Sequence, residues 1–301
     1  MRNKLYILPF DHRGSFIKMF GFDTSHLDNA AVGVLSDYKH IIYEGFLAAL
    51  EQGAPSHAAA ILVDEQFGAR IQNEAKERGV TRILTVEKSG QDEFDFEYGA
   101  DFGSHIDMFS PDYIKALVRY NPESNVETNR KQIEKLLILN AFCHEKNYKF
   151  LFELLVPATS EQLASCNGSE ELYEKTMRGG LMKRAMEELR MGGVEPDVWK
   201  LEGLESSEDM RSVAQVAQIN GREHVGIVVL GRGESDAKVR AWLGAAARVD
   251  GVIGFAVGRT VFKEPLLRYH KKQATRDQTA RAIADNYKQY VDLFEAAAGD
   301  I

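Results

Sequence analysis

The sequence of 301 residues is poor in cysteine, with only Cys143 and Cys166. The two residues form no CxxC pair and lie in different predicted elements, so we expect no disulfide framework. Such a chain is typical of a reducing compartment, and we expect it in the cytoplasm. The eight histidines are scattered, and no two have the i, i+4 spacing of a helical metal pair. We therefore expect neither a metal site nor a metal cofactor.

The sequence also lacks an excess of positive charge. It has 37 Lys and Arg against 45 Asp and Glu, a formal net charge of −8, whereas nucleic-acid-binding proteins show a basic excess or a basic stripe. No apolar run approaches the roughly 18 residues of a membrane span, and the first apolar segment is too short for a signal peptide. We therefore expect no nucleic-acid partner and no membrane segment.

A glycine-rich dinucleotide turn is missing as well. In an open, doubly wound sheet a GxGxxG turn would follow the first strand, but here that strand ends in Asp11-His12-Arg13-Gly14-Ser15. The later segment Gly231-Arg232-Gly233 lacks the third glycine. The sequence therefore contains no clear sign of a nucleotide cofactor, and an open doubly wound sheet is the less favoured fold.

What the sequence contains is a regular alternation of short apolar runs and longer amphipathic stretches. Several runs are almost wholly apolar, as strands covered on both faces are, and the alternation is typical of βα units around a parallel sheet. Eight units fit one (β/α)8 TIM barrel, an α/β fold of about 250 residues, so we expect a single domain over residues 1–301. The predicted strands are Leu5–Asp11, Ala58–Asp64, Arg82–Val86, Ile114–Arg119, Tyr148–Leu155, Asp197–Glu202, Val225–Leu230 and Val252–Val257.

Charged residues recur where the predicted strands end. In a TIM barrel the C-terminal ends of the strands surround the active site, although a single charge there is usually a solvated strand end. Repetition at the same end of so many strands instead indicates a polar site. The residues concerned are Asp11, Asp64, Glu87, Lys88, Glu153, Lys200, Glu202, Arg232 and Arg259.

Strand alternation predicts which of these side chains point into the barrel. Trp199 and Leu201 share the face that suits the surrounding helices, so Lys200 between them points inward. The same parity turns Glu153 inward on the preceding strand, and Lys115 lies early in strand four. The sequence thus predicts two lysines and a carboxylate in the strand segments that line the barrel.

A buried lysine has a specific chemical use. Burial and a neighbouring cation lower the pKa of a lysine amine, and a neutral amine can attack a ketone to form an imine. Once protonated, the imine withdraws electrons from the neighbouring carbons and assists carbon–carbon cleavage. The alternative role of Lys200 is a structural salt bridge to Glu153 or Glu202.

Glycine-rich turns follow the last two predicted strands. The loops after strands seven and eight are the usual phosphate site of a TIM barrel. Glycine lets backbone N–H groups approach an anion, and arginine adds a bidentate donor. The residues that we expect to bind phosphate are Gly231, Arg232, Gly258 and Arg259.

Six segments of the sequence resemble class I tagatose-bisphosphate aldolases. The likeness is closer to a sister group, the aldolase-like domain associated with 5-dehydro-2-deoxygluconokinase, which is similar to the 2-deoxy-5-keto-gluconate 6-phosphate aldolase of inositol breakdown. The resemblance runs from about Leu5 to the last predicted helix. The segments are Phe10-Asp11-His12-Arg13-Gly14-Ser15, Val63-Asp64-Glu65-Gln66-Phe67-Gly68, Val86-Glu87-Lys88-Ser89-Gly90, Phe152-Glu153-Leu154-Leu155, Asp197-Val198-Trp199-Lys200-Leu201-Glu202 and Val257-Gly258-Arg259-Thr260.

The resemblance implies a metal-independent class I aldolase in which Lys200 forms the imine. It makes Glu153 the acid/base for the substrate hydroxyl, Lys115 a second lysine near the imine, and Asp11 a ligand of a substrate hydroxyl. The implied reaction cleaves 2-deoxy-5-keto-gluconate 6-phosphate to dihydroxyacetone phosphate and malonate semialdehyde. Further substrate contacts are expected from His12, Arg13, Asp64, Glu87 and Glu202.

The sequence departs from tagatose-bisphosphate aldolases at Gly231-Arg232-Gly233-Glu234, where small residues without arginine are expected. One alternative is therefore a sulfo-sugar aldolase or transaldolase that holds a sulfonate with the extra arginine, and another is a tagatose-bisphosphate aldolase. A non-catalytic binding or regulatory barrel conflicts with the joint presence of Lys200, Glu153, Asp11 and Lys115. The expected partner is a phosphorylated or sulfonated sugar, and a homo-oligomer stays open.

Overall fold

Eight parallel strands close into one barrel in the computed structural model, which describes residues 4–299. The strands are β1 (Leu5–Pro9), β2 (Ala59–Val63), β3 (Thr81–Thr85), β4 (Tyr113–Arg119), β5 (Lys149–Leu155), β6 (Val198–Glu202), β7 (Gly226–Leu230) and β8 (Val252–Ala256). They pair in chain order, and β8 pairs with β1. The predicted (β/α)8 TIM barrel is confirmed, and the predicted strand ends differ from the observed ones by at most two residues.

Helices follow the strands and cover the outside of the barrel. In residues 4–299 the α-helices are α1 (Gly14–Met19), α2 (Asn29–Glu51), α3 (Glu65–Glu77), α4 (Phe102–Phe109), α5 (Val126–Lys146), α6 (Ser160–Ser165), α7 (Glu170–Tyr173), α8 (Gly179–Met191), α9 (Ser207–Gln218), α10 (Asp236–Ala246), α11 (Arg259–His270) and α12 (Arg276–Gly299). A 3₁₀ turn over Gly99–Asp101 precedes α4, and a π-helical turn over Glu174–Arg178 joins α7 to α8.

Side-chain caps fix where several helices begin after their strands. Ser206 accepts a hydrogen bond from the backbone N–H of Asp209 at the start of α9, and Ser235 accepts one from Lys238 at the start of α10. A side-chain oxygen at this position satisfies a backbone N–H that has no partner within the helix. Ser206 and Ser235 therefore fix the first residues of α9 and α10.

Strand alternation sorts the barrel side chains into an outer and an inner layer. Trp199 and Leu201 of β6 belong to the outer cluster beneath the helices, whereas Val198 belongs to the inner cluster with Leu151 of β5. The inner apolar cluster forms the floor of the barrel and consists of Leu5, Ile7, Ala60, Leu62, Ile83, Leu151, Val198, Val228 and Ala256. Above this floor the next inward residue of β6 is Lys200, which is only 4% exposed.

Two glycines allow the seam between β8 and β1 to close. A Cβ on Gly254 would overlap the backbone carbonyl of Leu5, and a Cβ on Gly258 would overlap that of Pro9. Backbone atoms cannot give way as a flexible side chain can, so any larger residue would push the two strands apart. Gly258 thereby brings the first turn of α11 against the end of β1, at the mouth of the barrel.

No helix in residues 4–299 combines the length and the apolar character that crossing a bilayer requires. Both cysteines are free and buried. Burial raises the pKa of the Cys143 thiol to about 12, so this thiol is protonated at neutral pH and serves as a small packing residue.

Candidate active site

A cleft opens at the C-terminal mouth of the barrel. It consists of two adjoining cavities of about 340 and 250 Å³. The first lies over the ends of β1, β3 and β4, and the second lies over the turns that follow β7 and β8. The two cavities form one cleft because they share the lining residues His12, Ser15, Leu117, Arg119, Glu153 and Lys200.

Lys115 lies at the bottom of this cleft among three carboxylates. Its Nζ is 2.8 Å from an oxygen of each of Asp11, Glu87 and Glu153. Burial by itself would lower the pKa of Lys115, but the three carboxylates outweigh burial and hold that pKa well above its usual value. Lys115 is therefore a permanent cation that gathers acidic side chains from three strands, and it is unsuited to act as a nucleophile.

Among the described residues Lys200 has one carboxylate partner, Glu153, and it lines both cavities of the cleft. Its Nζ is 2.5 Å from Oε1 of Glu153, because the register of β5 and β6 places these two residues side by side. Glu153 thus bridges both lysines, one with each oxygen. Burial would raise the pKa of Glu153, but Lys115 and Lys200 together hold it below its usual value, so Glu153 is ionised at neutral pH.

The polar cluster has two ammonium groups facing three carboxylates, so one negative charge is in excess. This balance has a chemical consequence. When Glu153 takes a proton from Lys200, Lys115 still has the carboxylates of Asp11 and Glu87 to compensate its charge. Burying a charge is energetically costly unless an opposite charge lies beside it. Both ammonium groups have a carboxylate partner before the transfer, and Lys115, the ammonium that remains, still has two afterwards.

Asp11 and His12 present a charged and a neutral group side by side. Burial would raise the pKa of Asp11, but the ammonium group of Lys115 outweighs burial and holds that pKa below its usual value, so Asp11 is ionised. Burial lowers the pKa of His12 to about 4, in spite of the neighbouring Asp11, so the imidazole is neutral at pH 7. Its Nδ1 is buried and has no hydrogen-bond partner in the described part of the chain, and the residue lines both cavities.

Two of the predicted substrate contacts lie outside the cleft. Asp64 is 1% exposed, caps α3 through the backbone N–H of Phe67 at 2.9 Å and forms an ion pair with Lys39. The sequence showed a charge at a strand end, but the helix that follows at once turns this carboxylate to its own first turn. Asp64 therefore has a structural role in this conformation.

Glu202 is likewise 1% exposed and lines neither cavity. It accepts a hydrogen bond of 3.1 Å from the backbone N–H of Val156, and it lies 3.6 Å from Arg178 and 3.1 Å from Arg232. Burial raises the pKa of Glu202 although the two arginines oppose this effect. Strand parity alone could not separate Glu202 from Lys200, because the two share a face of β6.

The residues predicted to bind phosphate lie together at one edge of the cleft, but they differ in the contacts that they already make within the protein. Gly231 and Gly258 line the second cavity. Arg232 has a left-handed φ of 51° and holds its guanidinium against Glu174 and Glu202. Arg259 instead donates to the carbonyl of Arg232 and has no acidic partner within residues 4–299, so its charge is the one that remains available to an anion.

Arg13 and Glu87, two of the residues predicted to contact substrate, line the first cavity. Arg13 is tied to Glu97 at 2.6 Å and to the carbonyl of Glu87, and Glu87 also accepts the backbone N–H of Leu117 at 3.2 Å. Both side chains therefore organise the wall of the cavity. The cleft also contains residues that the sequence did not single out for the site, namely Ser15, Lys18, Ser89, Gln91, Arg119 and Thr260.

Strand parity could have found Arg119, which shares the inward face of β4 with Lys115. Lys18 offered no such signal, because it lies on a short helix whose placement depends on the loop after β1. Within residues 4–299 no group of three or more His, Cys, Asp or Glu side chains is arranged to hold a metal ion.

The fold and the cleft define a TIM barrel with a lysine–carboxylate cluster at the mouth of its strands. The chain belongs to the family described as "Uncharacterized protein conserved in bacteria (DUF2090)", whose model matches residues 1–298. No curated protein matches the sequence significantly.

Solved structures share the fold at low sequence identity. Cgl0159 of Corynebacterium glutamicum aligns with a TM-score of 0.59 and 16% identity over 99% of this chain and 87% of that one. An archaeal fructose 1,6-bisphosphate aldolase aligns with a TM-score of 0.57 and 14% identity over 96% and 95% of the two chains. Another archaeal fructose-1,6-bisphosphate aldolase, with its catalytic Lys covalently bound to the carbinolamine intermediate, aligns with a TM-score of 0.56 and 14% identity over 95% of each chain.

Replacing Lys115 by Met tests the central ion cluster. The variant leaves Asp11, Glu87 and Glu153 buried around an apolar side chain, so we expect a loss of about 3–5 kcal/mol in the free energy of unfolding at pH 7. Without the cation, burial and mutual repulsion raise the pKa of these carboxylates, and the folded state then binds more protons than the unfolded state. The loss should therefore shrink as the pH falls from 7 to 5, measured by urea unfolding.

The matched control is Lys200→Met, which leaves Glu153 paired with Lys115. We expect a smaller loss of stability in this variant and little change of that loss with pH. Equal losses in the two variants at every pH would show that Lys115 does not hold the carboxylates together.

Proposed function

We propose that this protein is a class I aldolase whose nucleophile is Lys200. The observation that carries the proposal is the pairing of a cleft-facing lysine with a carboxylate 2.5 Å away, itself fixed by a second, permanently charged lysine. This arrangement supplies an amine, a base for its proton and a support that keeps the base ionised. Similar solved structures include an aldolase described as Schiff base forming.

The first half of the reaction forms the imine. Glu153 takes a proton from the Lys200 ammonium through the 2.5 Å contact, and the neutral amine then adds to the substrate ketone. The resulting carbinolamine receives the proton back from Glu153 on its hydroxyl group, and water leaves. Glu153 is again a carboxylate, and Lys200 carries a protonated imine that can withdraw electrons from the adjacent carbons.

The second half cleaves the carbon–carbon bond. Glu153 removes the proton of the hydroxyl group beyond the bond, the bond electrons move into the imine, and an aldehyde leaves. The enamine that remains takes the proton at carbon from Glu153, and hydrolysis of the imine releases the ketone product. Asp11 and the neutral His12 lie where they can bind substrate hydroxyl groups. Every proton has a donor and an acceptor in the cleft, so the mechanism needs neither metal nor cofactor.

We place the phosphate of the substrate at the edge formed by Gly231, Gly258 and Arg259. The first turn of α11 leaves backbone N–H groups without partners inside the helix, and such a helix start favours a phosphate group. Arg259 adds a charge that has no carboxylate partner in the described residues. Arg232 is paired with two glutamates, so we assign it a smaller part in phosphate binding.

The substrate that we favour is 2-deoxy-5-keto-gluconate 6-phosphate, as in the aldolase-like group associated with 5-dehydro-2-deoxygluconokinase. Its C5 ketone would meet Lys200, and the C3–C4 bond would break as Glu153 takes the proton of the C3 hydroxyl group. The products are dihydroxyacetone phosphate and malonate semialdehyde. With this substrate we expect the protein to act in the cytoplasm, where phosphorylated sugar acids are metabolised.

Borohydride trapping tests the imine. Incubation with dihydroxyacetone phosphate and borohydride should add one reduced triose adduct, which peptide mass spectrometry should locate on Lys200. The reaction should proceed equally in excess EDTA, because the imine and not a metal serves as the electron sink. An adduct on Lys115 or Lys88, or a loss in EDTA that zinc restores, would contradict the proposal, and Lys200→Met is the negative control.

Replacing Glu153 by Gln tests the proton-transfer step. Glutamine keeps the shape but removes the base, and positioned acid/base groups contribute about 10² to 10⁴ in rate. We expect turnover to fall by that order while slow imine formation stays detectable by trapping. Glu202→Gln makes the same chemical change outside the cleft and should affect turnover much less. Near-normal turnover of the Glu153 variant would contradict this role and move it to Glu87.

A comparison of substrates tests the specificity. We expect the highest kcat/KM for 2-deoxy-5-keto-gluconate 6-phosphate, ahead of tagatose 1,6-bisphosphate and 6-deoxy-6-sulfofructose. Arg259→Ala should lower kcat/KM for the keto acid phosphate about ten- to a hundredfold, because a charge-assisted hydrogen bond contributes about 1.5–3 kcal/mol. Arg232→Ala should cost less. Much faster turnover of the sulfo-sugar would replace the phosphate assignment by a sulfonate.

A further inference from the structure

The cations of the cleft fall into two groups when their partners are compared. One group is already neutralised, and its members are Lys115, Lys200, Arg13 and Arg232, each of which faces at least one carboxylate. The other group consists of Lys18, Lys88, Arg119 and Arg259, for which the structure of residues 4–299 shows no ion pair with an acidic side chain. In an acidic protein, unpaired cations that share one cleft are available to an anionic ligand.

The unpaired cations lie at two separate edges. Arg259 belongs to the cavity over β7 and β8, where the phosphate has been placed. Lys18 and Lys88 belong to the cavity over β1, β3 and β4. Arg119 lines both cavities from the end of β4, opposite Leu155 of β5. Lys200 lines both cavities as well, so the imine position lies between two edges that can each bind an anion.

Arg119 is held in place but keeps donors free. Its NH1 group donates to the backbone carbonyl of Gln91 at 2.8 Å, which fixes the guanidinium beneath the loop that follows β3. The acidic side chains below it are already engaged, since Asp11, Glu87 and Glu153 all bind Lys115. A guanidinium has five N–H donors, and within residues 4–299 the guanidinium of Arg119 donates to this one carbonyl. The remaining N–H groups can therefore bind a ligand.

The backbone around Arg119 distinguishes its edge from the phosphate edge. The N–H groups of Gly14, Lys88 and Ser89 donate to Ser89 Oγ, to the carbonyl of Asp95 and to Glu97 Oε2, at 3.4, 2.9 and 3.1 Å. These donors are therefore not available to the several oxygens of a phosphate. The planar guanidinium of Arg119 can form two parallel hydrogen bonds to a planar carboxylate without help from the backbone.

We propose that Arg119, assisted by Lys18, binds a carboxylate at the end of the substrate remote from its phosphate. The inference rests on the proposed aldolase function for the identity of the ligand, and it adds the residue that selects an acid over an uncharged sugar. The substrate class is then a keto acid phosphate that spans the cleft, with its ketone at Lys200 between the two anionic ends. Arg119 acts here as a specificity-determining residue.

A binding experiment tests the assignment without any turnover. The probe is 6-phosphonohexanoate, an unreactive chain with a phosphonate at one end and a carboxylate at the other, and its partner is pentylphosphonate, which lacks the carboxylate. Calorimetric titration of the wild-type protein should show a Kd about ten- to a hundredfold lower for the first compound. In Arg119→Met this advantage should disappear, while the Kd of pentylphosphonate should stay unchanged.

Three variants complete the binding experiment. Lys18→Met should reduce the carboxylate advantage only in part, and Arg119→Lys should retain some of it because the charge remains. Arg70→Met removes an exposed arginine outside the cleft and should change neither Kd. If Arg119→Met raised the Kd of both compounds equally, Arg119 would act on the structure of the loop through Gln91, and the proposal would be wrong. It would also be wrong if Arg119→Met still bound the carboxylate-bearing compound more tightly than pentylphosphonate by the wild-type factor.

Condensation kinetics separate this proposal from the aldolase assignment. With dihydroxyacetone phosphate as donor, Arg119→Met should lower kcat/KM for malonate semialdehyde about ten- to a hundredfold. The kcat/KM for propanal and the yield of the Lys200 adduct trapped by borohydride should stay unchanged. If glyceraldehyde 3-phosphate is the better acceptor, and Arg119→Met abolishes the activity with it, Arg119 binds a phosphate and the carboxylate assignment is wrong. Failure of wild-type protein to form the adduct refutes the aldolase alone, since the titration still decides the role of Arg119.

Discussion

The ammonium group of Lys115, held at 2.8 Å from each of three carboxylates, is the contact on which the whole site depends. It joins β4 to the ends of β1 and β3 and to β5, and so it connects strands that the barrel brings together across its mouth. Three buried carboxylates without it would repel one another and take up protons. With it they remain ionised, and Glu153 keeps a second oxygen for Lys200.

The two lysines of the cleft differ because their surroundings differ. Lys115 has three acidic partners and a pKa well above the usual value, whereas Lys200 shares one carboxylate and opens on the cavity. The first lysine can therefore maintain the charge of the site while the second reacts. The same division applies to the arginines at the rim, where Arg232 is neutralised by glutamates and Arg259 is not.

The apolar floor of the barrel is equally part of this arrangement. It fills the inward positions below the polar cluster and keeps the lysines from reaching water on the lower side. The polar groups are thus confined to the end of the strands from which a substrate can approach. Glycines at the seam of β8 and β1 let the barrel close at the distance that this packing requires, and they bring α11 to the rim.

The sequence by itself determined the barrel, the strand limits to within two residues and the inward direction of Lys200 and Glu153. These features follow from two local patterns in the sequence. Successive side chains of a strand point to opposite faces, and strands alternate with helices along the chain. Tertiary structure decided which charges are free. Asp64 is taken by Lys39 and the start of α3, and Glu202 by Arg178 and Arg232. Arg232 meets Glu174 across 58 residues of chain. An ion pair depends on distance in space, and no periodicity in the sequence encodes the distance between elements that only the closed barrel brings together.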